Sequence, residues 1–177
     1  MRRVIYGGAC SLDGYFAARD GAVDWLHFSK DVQDIMRQSW AETDTMLLGR
    51  KTWDWARSQP GPRDDGSMPA VKSYVFSRTL TSIPDPKAEL VTSDAGAFVT
   101  KLKSLPGKDI IVMSGGNFAT SLLKAGVIDE VGLNIHPLLL GGGPPAFLDP
   151  GERVKLELTE CRQLEGGCVF VRYAVKR

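Results

Sequence analysis

The chain is poor in the residues that build metal sites and disulfide frameworks. Its 177 residues hold three cysteines (Cys10, Cys161 and Cys168) and two histidines (His27 and His136). No Cys-x-x-Cys pair occurs and no histidine stands beside a cysteine, so the spacings of a zinc site are missing and no metal is expected. An odd cysteine number without paired spacing points to a reduced, cytoplasmic setting. Neither sign of charge dominates: 22 Lys and Arg face 21 Asp and Glu, for a net charge of +1. That balance gives no electrostatic footprint for nucleic acid or for a membrane surface. Long apolar runs are absent too. Nothing approaches a bilayer span, and Met1-Arg2-Arg3 leads into a strand-like segment rather than the apolar core of a signal peptide. No Gly-x-Gly-x-x-Gly follows the first apolar run, and Gly141-Gly142-Gly143 is not followed by Gly-Lys-Ser/Thr. A standard dinucleotide fingerprint and a P-loop are thereby excluded.

What is present is an ordinary globular composition, 43% hydrophobic and 24% charged, without repeats, linkers or low-complexity segments. A single domain over 1–177 is expected, long enough to bury a core. Strand-like runs are Val4-Ile5-Tyr6, Met46 to Leu48, Ser73 to Phe76, Leu90 to Thr92, Ile110 to Met113, Val131 to Leu140, Val154 to Cys161 and Val169 to Val175. The first is followed by small residues, Gly7 to Ser11. Asp13-Gly14 and Asp20-Gly21 bracket a short hairpin around Tyr15 to Ala18. Ser29 is a helix N-cap, followed by an apolar stripe of Val32, Ile35, Met36 and Trp40. Further helices are expected from Thr52 to Arg57, from Asp94 through Leu102, and around Leu122 and Leu123, with a surface loop from Pro60 to Pro69. Strands alternating with helices, then a closing hairpin, imply an α/β fold in three layers. Its central sheet is mostly parallel, with an antiparallel C-terminal hairpin.

Three strand ends carry residues suited to phosphate: Gly49-Arg50-Lys51-Thr52, Ser77-Arg78-Thr79 and Ser114-Gly115-Gly116-Asn117. In open α/β sheets ligands gather outside the carboxyl ends of the strands. Glycine admits a close backbone approach, guanidinium forks match phosphate oxygens, and helix N-termini favour anions. Each motif alone is common; three together favour a nucleotide phosphate.

The motifs Ser11-Leu12-Asp13-Gly14-Tyr15-Phe16-Ala17, Leu48-Gly49-Arg50-Lys51-Thr52-Trp53, Val75-Phe76-Ser77-Arg78-Thr79, Ser114-Gly115-Gly116, Ile128-Asp129-Glu130-Val131 and Pro137-Leu138-Leu139-Leu140-Gly141 span most of the chain. In order and spacing the chain resembles the dihydrofolate reductase-like superfamily, in particular the C-terminal reductase domain of bacterial riboflavin-biosynthesis deaminase-reductases. That resemblance implies a homodimer and a reductase that takes a hydride from NADPH. On it, Arg50 and Thr52 bind cofactor phosphates beside Gly49, and Ser77 with Arg78 recognises the 2′-phosphate. Gly115 and Gly116 meet the pyrophosphate, with Asn117 and Phe118 close by, and Ala9 faces the nicotinamide. In dihydrofolate reductases this Gly-Gly bond is cis.

The substrate side has two candidate acids. By the resemblance, Asp31 after Trp25 stands near the position of the pterin-binding carboxylate. Burial beside Trp25 and Ile35 would raise its pKa and fit it for proton relay; the alternative is a helix N-terminal aspartate stabilised by the dipole. Asp13 either orients nicotinamide or substrate or simply makes an Asp-Gly turn. Ser114 occupies the place of a substrate-contacting glutamate in the pyrimidinone reductases. Trp40, Trp53 and Trp55 are expected to pack, and His136 to be structural. The expected function is therefore reduction of a small heterocycle, a pyrimidinone or a pterin. The alternative is a nucleotide-binding domain of the same fold without turnover.

Overall fold

A computed structural model describes residues 1–58 and 71–176. The surface loop expected from Pro60 to Pro69 lies outside the described residues. Among the described residues eight strands form one sheet, in the order β4-β3-β2-β5-β1-β6-β8-β7. They are β1 (Val4–Ser11), β2 (Thr43–Gly49), β3 (Lys72–Phe76), β4 (Ala88–Val91), β5 (Asp109–Val112), β6 (Glu130–His136), β7 (Leu156–Gln163) and β8 (Val169–Val175). The first six are mutually parallel. β8 runs antiparallel to β6, and β7 antiparallel to β8, at the C-terminal edge. Among the described residues four α-helices connect the parallel strands: α1 (Lys30–Ala41), α2 (Arg50–Ser58), α3 (Ala95–Ser104) and α4 (Gly116–Lys124). None of the described helices is long and apolar enough to cross a membrane.

The two faces of the sheet are covered unequally. On one, Val4, Tyr6, Leu47, Ile110, Val112 and Val131 pack with Val99 and Leu102 of α3 and Ala119 and Leu122 of α4 in a continuous core. Alternation along a strand sends the intervening residues to the other face. There the packing falls into two separate clusters. Val32 and Ile35 of α1 lie with Leu164, Cys168 and Phe170 over the β8 side. Trp53 of α2 lies with Leu48 and Val75 over β2 and β3. Between them Ile5, Gly7, Ala9, Ile111 and Met113 are only half-buried. The result is a trough floored by β1 and β5 and walled by α1 and α2.

Several boundaries differ from those read in the sequence. Gly7 to Ser11 continue β1 rather than follow it, because β6 pairs with them residue for residue, from Gly7–Gly132 to Ser11–His136. A Cβ on Gly7 would sit 2.1 Å from the carbonyl oxygen of Gly132, so the close strand approach requires glycine there. No hairpin forms at Tyr15 to Ala18. Tyr15 instead bridges Pro145, and the Phe16 N–H donates to the Pro144 carbonyl at 2.9 Å. β6 stops at His136, since Pro137 has no N–H for the ladder. In the α1 stripe Val32 and Ile35 are buried and Trp40 half-buried, whereas Met36 faces solvent. Trp53 is buried as expected, but Trp55, two residues on and so turned to the opposite side of α2, is exposed. Asp94 caps α3 through the Ala97 N–H at 2.8 Å.

Candidate functional site

β3, β2 and β5 are neighbours in the sheet, so the three phosphate-type motifs end side by side. Contacts join them across the strand gaps. The Ser114 hydroxyl, after β5, accepts the Gly49 N–H of β2 at 3.2 Å and lies 3.5 Å from the Thr52 hydroxyl of α2. A Cβ on Gly49 would come 2.7 Å from that serine oxygen. Arg50 opens α2 and donates to the Thr79 hydroxyl at 2.7 Å and to Asp54 at 3.2 Å, which spans the gap to the loop after β3. Ser77 is buried and ties that loop by accepting the N–H groups of Thr79 and Leu80 at 3.2 and 3.1 Å. Arg78 is left exposed. At the third end Gly115 caps α4 without a side-chain hydrogen bond. The first N–H groups of that helix, at Asn117 and Phe118, have no partner within it, an arrangement that receives an anion. Gly116 is buried, and its N–H donates to the Pro145 carbonyl at 3.1 Å. The Gly115–Gly116 bond is trans, unlike the cis bond of the resemblance; among the described residues no peptide is cis.

Ala9 sits half-buried on the trough floor, beyond these strand ends. The carboxylates expected near it are committed to the chain itself. Asp31 is not a buried acid with a raised pKa. It accepts hydrogen bonds from the Ser29 hydroxyl, from the Val32 N–H at 2.8 Å and from the Glu165 N–H at 2.8 Å. The Ser29 hydroxyl, then the Glu165 amide, hold its pKa below the ordinary carboxylate value. Ser29 precedes α1 as expected, but its hydroxyl serves Asp31 rather than capping the helix. Asp31 thus clamps the start of α1 to the turn between β7 and β8. Asp13 works similarly: it accepts the Ser11 hydroxyl at 2.6 Å and the N–H groups of Leu140 and Gly141 at 3.1 and 2.8 Å. The Ser11 hydroxyl leads the interactions that lower its pKa. It pins the glycine loop after β6 onto the end of β1.

Trp25 packs edge-on against His136 at 5.1 Å and donates its indole N–H to the Ala22 carbonyl at 3.3 Å. His136 is buried, its Nε2 accepts the His27 N–H at 3.1 Å, and burial lowers its pKa. Thr79, the partner of Arg50, belongs to a motif already singled out, whereas one polar residue at this end of the sheet was not: Asn134, opposite Ala9 on β6. The polar phase of the β6 alternation, Gly132-x-Asn134-x-His136, was the available signal for Asn134. A cavity of about 430 Å³ lies on the opposite face, against Leu123, Val131, Phe147 and Leu156, away from this cluster.

The family model described as the RibD C-terminal domain matches residues 2–170. The chain belongs to that family. Among relatives of this RibD C-terminal domain, the uncharacterized protein YyaP of Bacillus subtilis is 35% identical over 98% of the chain and 95% of its own length. The riboflavin biosynthesis protein RibD of Mycobacterium tuberculosis is 26% identical over 85% of the chain, which spans 47% of that longer protein. A solved structure from Shewanella sp. PV-4 superposes with a TM-score of 0.84 at 26% identity, covering 99% of both chains. The RibD-like reductase fold expected from the sequence is thus the fold of this domain.

Proposed function

We propose that this domain is an NADPH-dependent reductase of a small heterocyclic substrate, a pyrimidinone or a pterin. The observation that carries the reading is the joining of three phosphate-type strand ends at one edge of an open trough, through Gly49–Ser114 and Arg50–Thr79. Arg50 and Thr52 bind cofactor phosphates there. Ser77 shapes the loop from which Arg78 reaches the 2′-phosphate. Gly115, with open space beside it, and the N–H groups of Asn117 and Phe118 take the pyrophosphate, while Gly116 packs behind them against the Pro145 carbonyl. Ala9 gives the nicotinamide a flat floor. NADPH supplies the hydride; the chain binds, orients and excludes water. Asp13 and Asp31 are positioning residues that hold the two loops bordering the trough.

The edge strand β7 exposes Leu156 and Leu158 beside unpaired ladder groups, which supports a homodimer through the C-terminal strands. A dimer mass by light scattering is the expected result.

The second reading, a nucleotide-binding domain without turnover, draws on the occupation of both carboxylates and on Ser114 in the place of a glutamate. Following NADPH absorbance over a panel of pyrimidinones and pterins separates the two. Consumption with any of them supports the reductase. Tight NADPH binding with no consumption supports the second reading, and absence of NADPH binding rejects both.

A further inference from the structure

The trough continues past the phosphate side onto β6. β1 and β6 run in register there, Gly7 with Gly132, Gly8 with Leu133 and Ala9 with Asn134. Val131 and Leu133 turn into the opposite core, so Gly132 and Asn134 turn toward the trough. Gly7, Ala9 and Gly132 keep this floor flat. Asn134 adds a carboxamide at its far side, about three strand gaps, roughly 14 Å, from β2. Phe170, its neighbour on β8, closes the floor beneath Val32 and Ile35 of α1, with the guanidinium groups of Arg162 and Arg172 over its ring at 5.5 and 5.6 Å.

Asn134 Oδ1 is buried and has no hydrogen-bond partner among the described residues. Buried polar atoms are nearly always satisfied, so an unmet acceptor beside a ligand trough asks for a ligand donor. The terminal torsion of asparagine is soft and two-fold, which lets the amide turn toward an incoming edge. A carboxamide presents one acceptor and one donor side by side, the complement of an –NH–C=O– lactam edge. A carboxylate would instead complement a protonated amidine-type edge. Asp13 and Asp31 are not free for that role, because both oxygens of each accept hydrogen bonds from the chain.

We propose that Asn134 is a substrate-reading residue, and that it recognises an uncharged planar ring by a lactam edge, its Oδ1 accepting the ring N–H and its Nδ2 donating to the ring carbonyl. The proposal rests on the reductase reading for the identity of the neighbouring ligand. It assigns to Asn134 a contact with substrate rather than with cofactor.

Titration with two probes tests it, with and without saturating NADP⁺: pteridine-2,4-dione, which offers lactam edges, and its 1,3-dimethyl derivative, whose lactam nitrogens carry no hydrogen. The wild-type domain is expected to prefer the unmethylated dione. Asn134→Leu is expected to weaken binding of the unmethylated dione roughly tenfold or more with NADP⁺ affinity unchanged, and to remove the preference between the two probes. Asn134→Ser serves if the leucine variant melts early. Equal binding of the unmethylated dione by wild type and Asn134→Leu overturns the proposal. So does a wild-type preference for the dimethyl derivative, or binding of neither probe. Failure of NADP⁺ alone to bind rejects the cofactor reading instead, and the dione titration without NADP⁺ still reads Asn134.

Discussion

At the ends of β3, β2 and β5, polar groups face outward or reach one another across the strand gaps. At the ends of β1 and β6 they are turned onto the chain's own loops. Arg50 keeps its guanidinium at the surface while bonded to Thr79, and Arg78 is exposed. Asp13 and Asp31 sit one strand or one helix away and spread their oxygens over backbone N–H groups. A region organised to receive an anion needs free donors, and donors abound at glycine-rich turns and helix starts. A region organised to select a neutral ring needs flatness and one or two placed polar atoms, with its loops held still. On the proposed reading, the two ends of the trough divide along that line.

Substitutions on the floor break the comparison most sharply. Gly7→Val places a Cβ against the Gly132 carbonyl, which cannot move without parting β1 from β6. Denaturant unfolding is expected to register a loss of about 3 kcal/mol. Gly132→Ala meets only the Phe170 ring, at 3.9 Å, and should cost less than about 1 kcal/mol. Equal losses would show that the floor is not built on that contact. On the phosphate side, Ser114→Ala leaves the Gly49 N–H without its acceptor. A loss of about 1 kcal/mol in stability is expected, with weaker NADPH binding; unchanged binding would detach Ser114 from the site.

Much of the phosphate side was legible because its signals are local. Leu48-Gly49-Arg50 announces a strand end, a close approach and a cation within three residues, and Asp94 declares its own cap. The substrate side depends on partners far along the chain. Asp31 has the sequence position of a binding acid, yet its fate is decided by the Glu165 N–H, 134 residues later. Gly7 and Gly8 looked like the end of a strand because glycine weakens strands, and only their pairing with Gly132 and Leu133 of β6 explains why they continue one. Asn134 sat inside a strand pattern that said nothing of its missing partner.

The smallest expected effects are in pH, and they separate His136 from the Asp31 clamp. His136 has its pKa lowered by burial from the ordinary 6.5, so the unfolded chain takes up the proton first. Its contribution is complete above that value and is lost as pH falls toward the folded pKa. The wild-type melting temperature should therefore decline as pH falls through the ordinary histidine value of 6.5, and His136→Gln should flatten that decline. Asp31 has its pKa lowered below the ordinary 3.8, and its clamp persists above that value and fails only as pH falls through the folded pKa. Asp31→Asn should therefore melt below wild type at neutral pH and converge with it in acid. A constant gap would mean that the carboxylate's charge is not what holds α1 to the β7–β8 turn.

The central claim, that the joined strand ends hold a phosphorylated dinucleotide, is tested most directly by calorimetric titration of wild type and Arg78→Ala with NADPH and NADH. Wild type is expected to bind NADPH at least roughly tenfold tighter, and Arg78→Ala to weaken NADPH by about 2 kcal/mol, or roughly 30-fold, with a far smaller change for NADH. Equal affinity for the two cofactors, or equal loss of both in the variant, would contradict it.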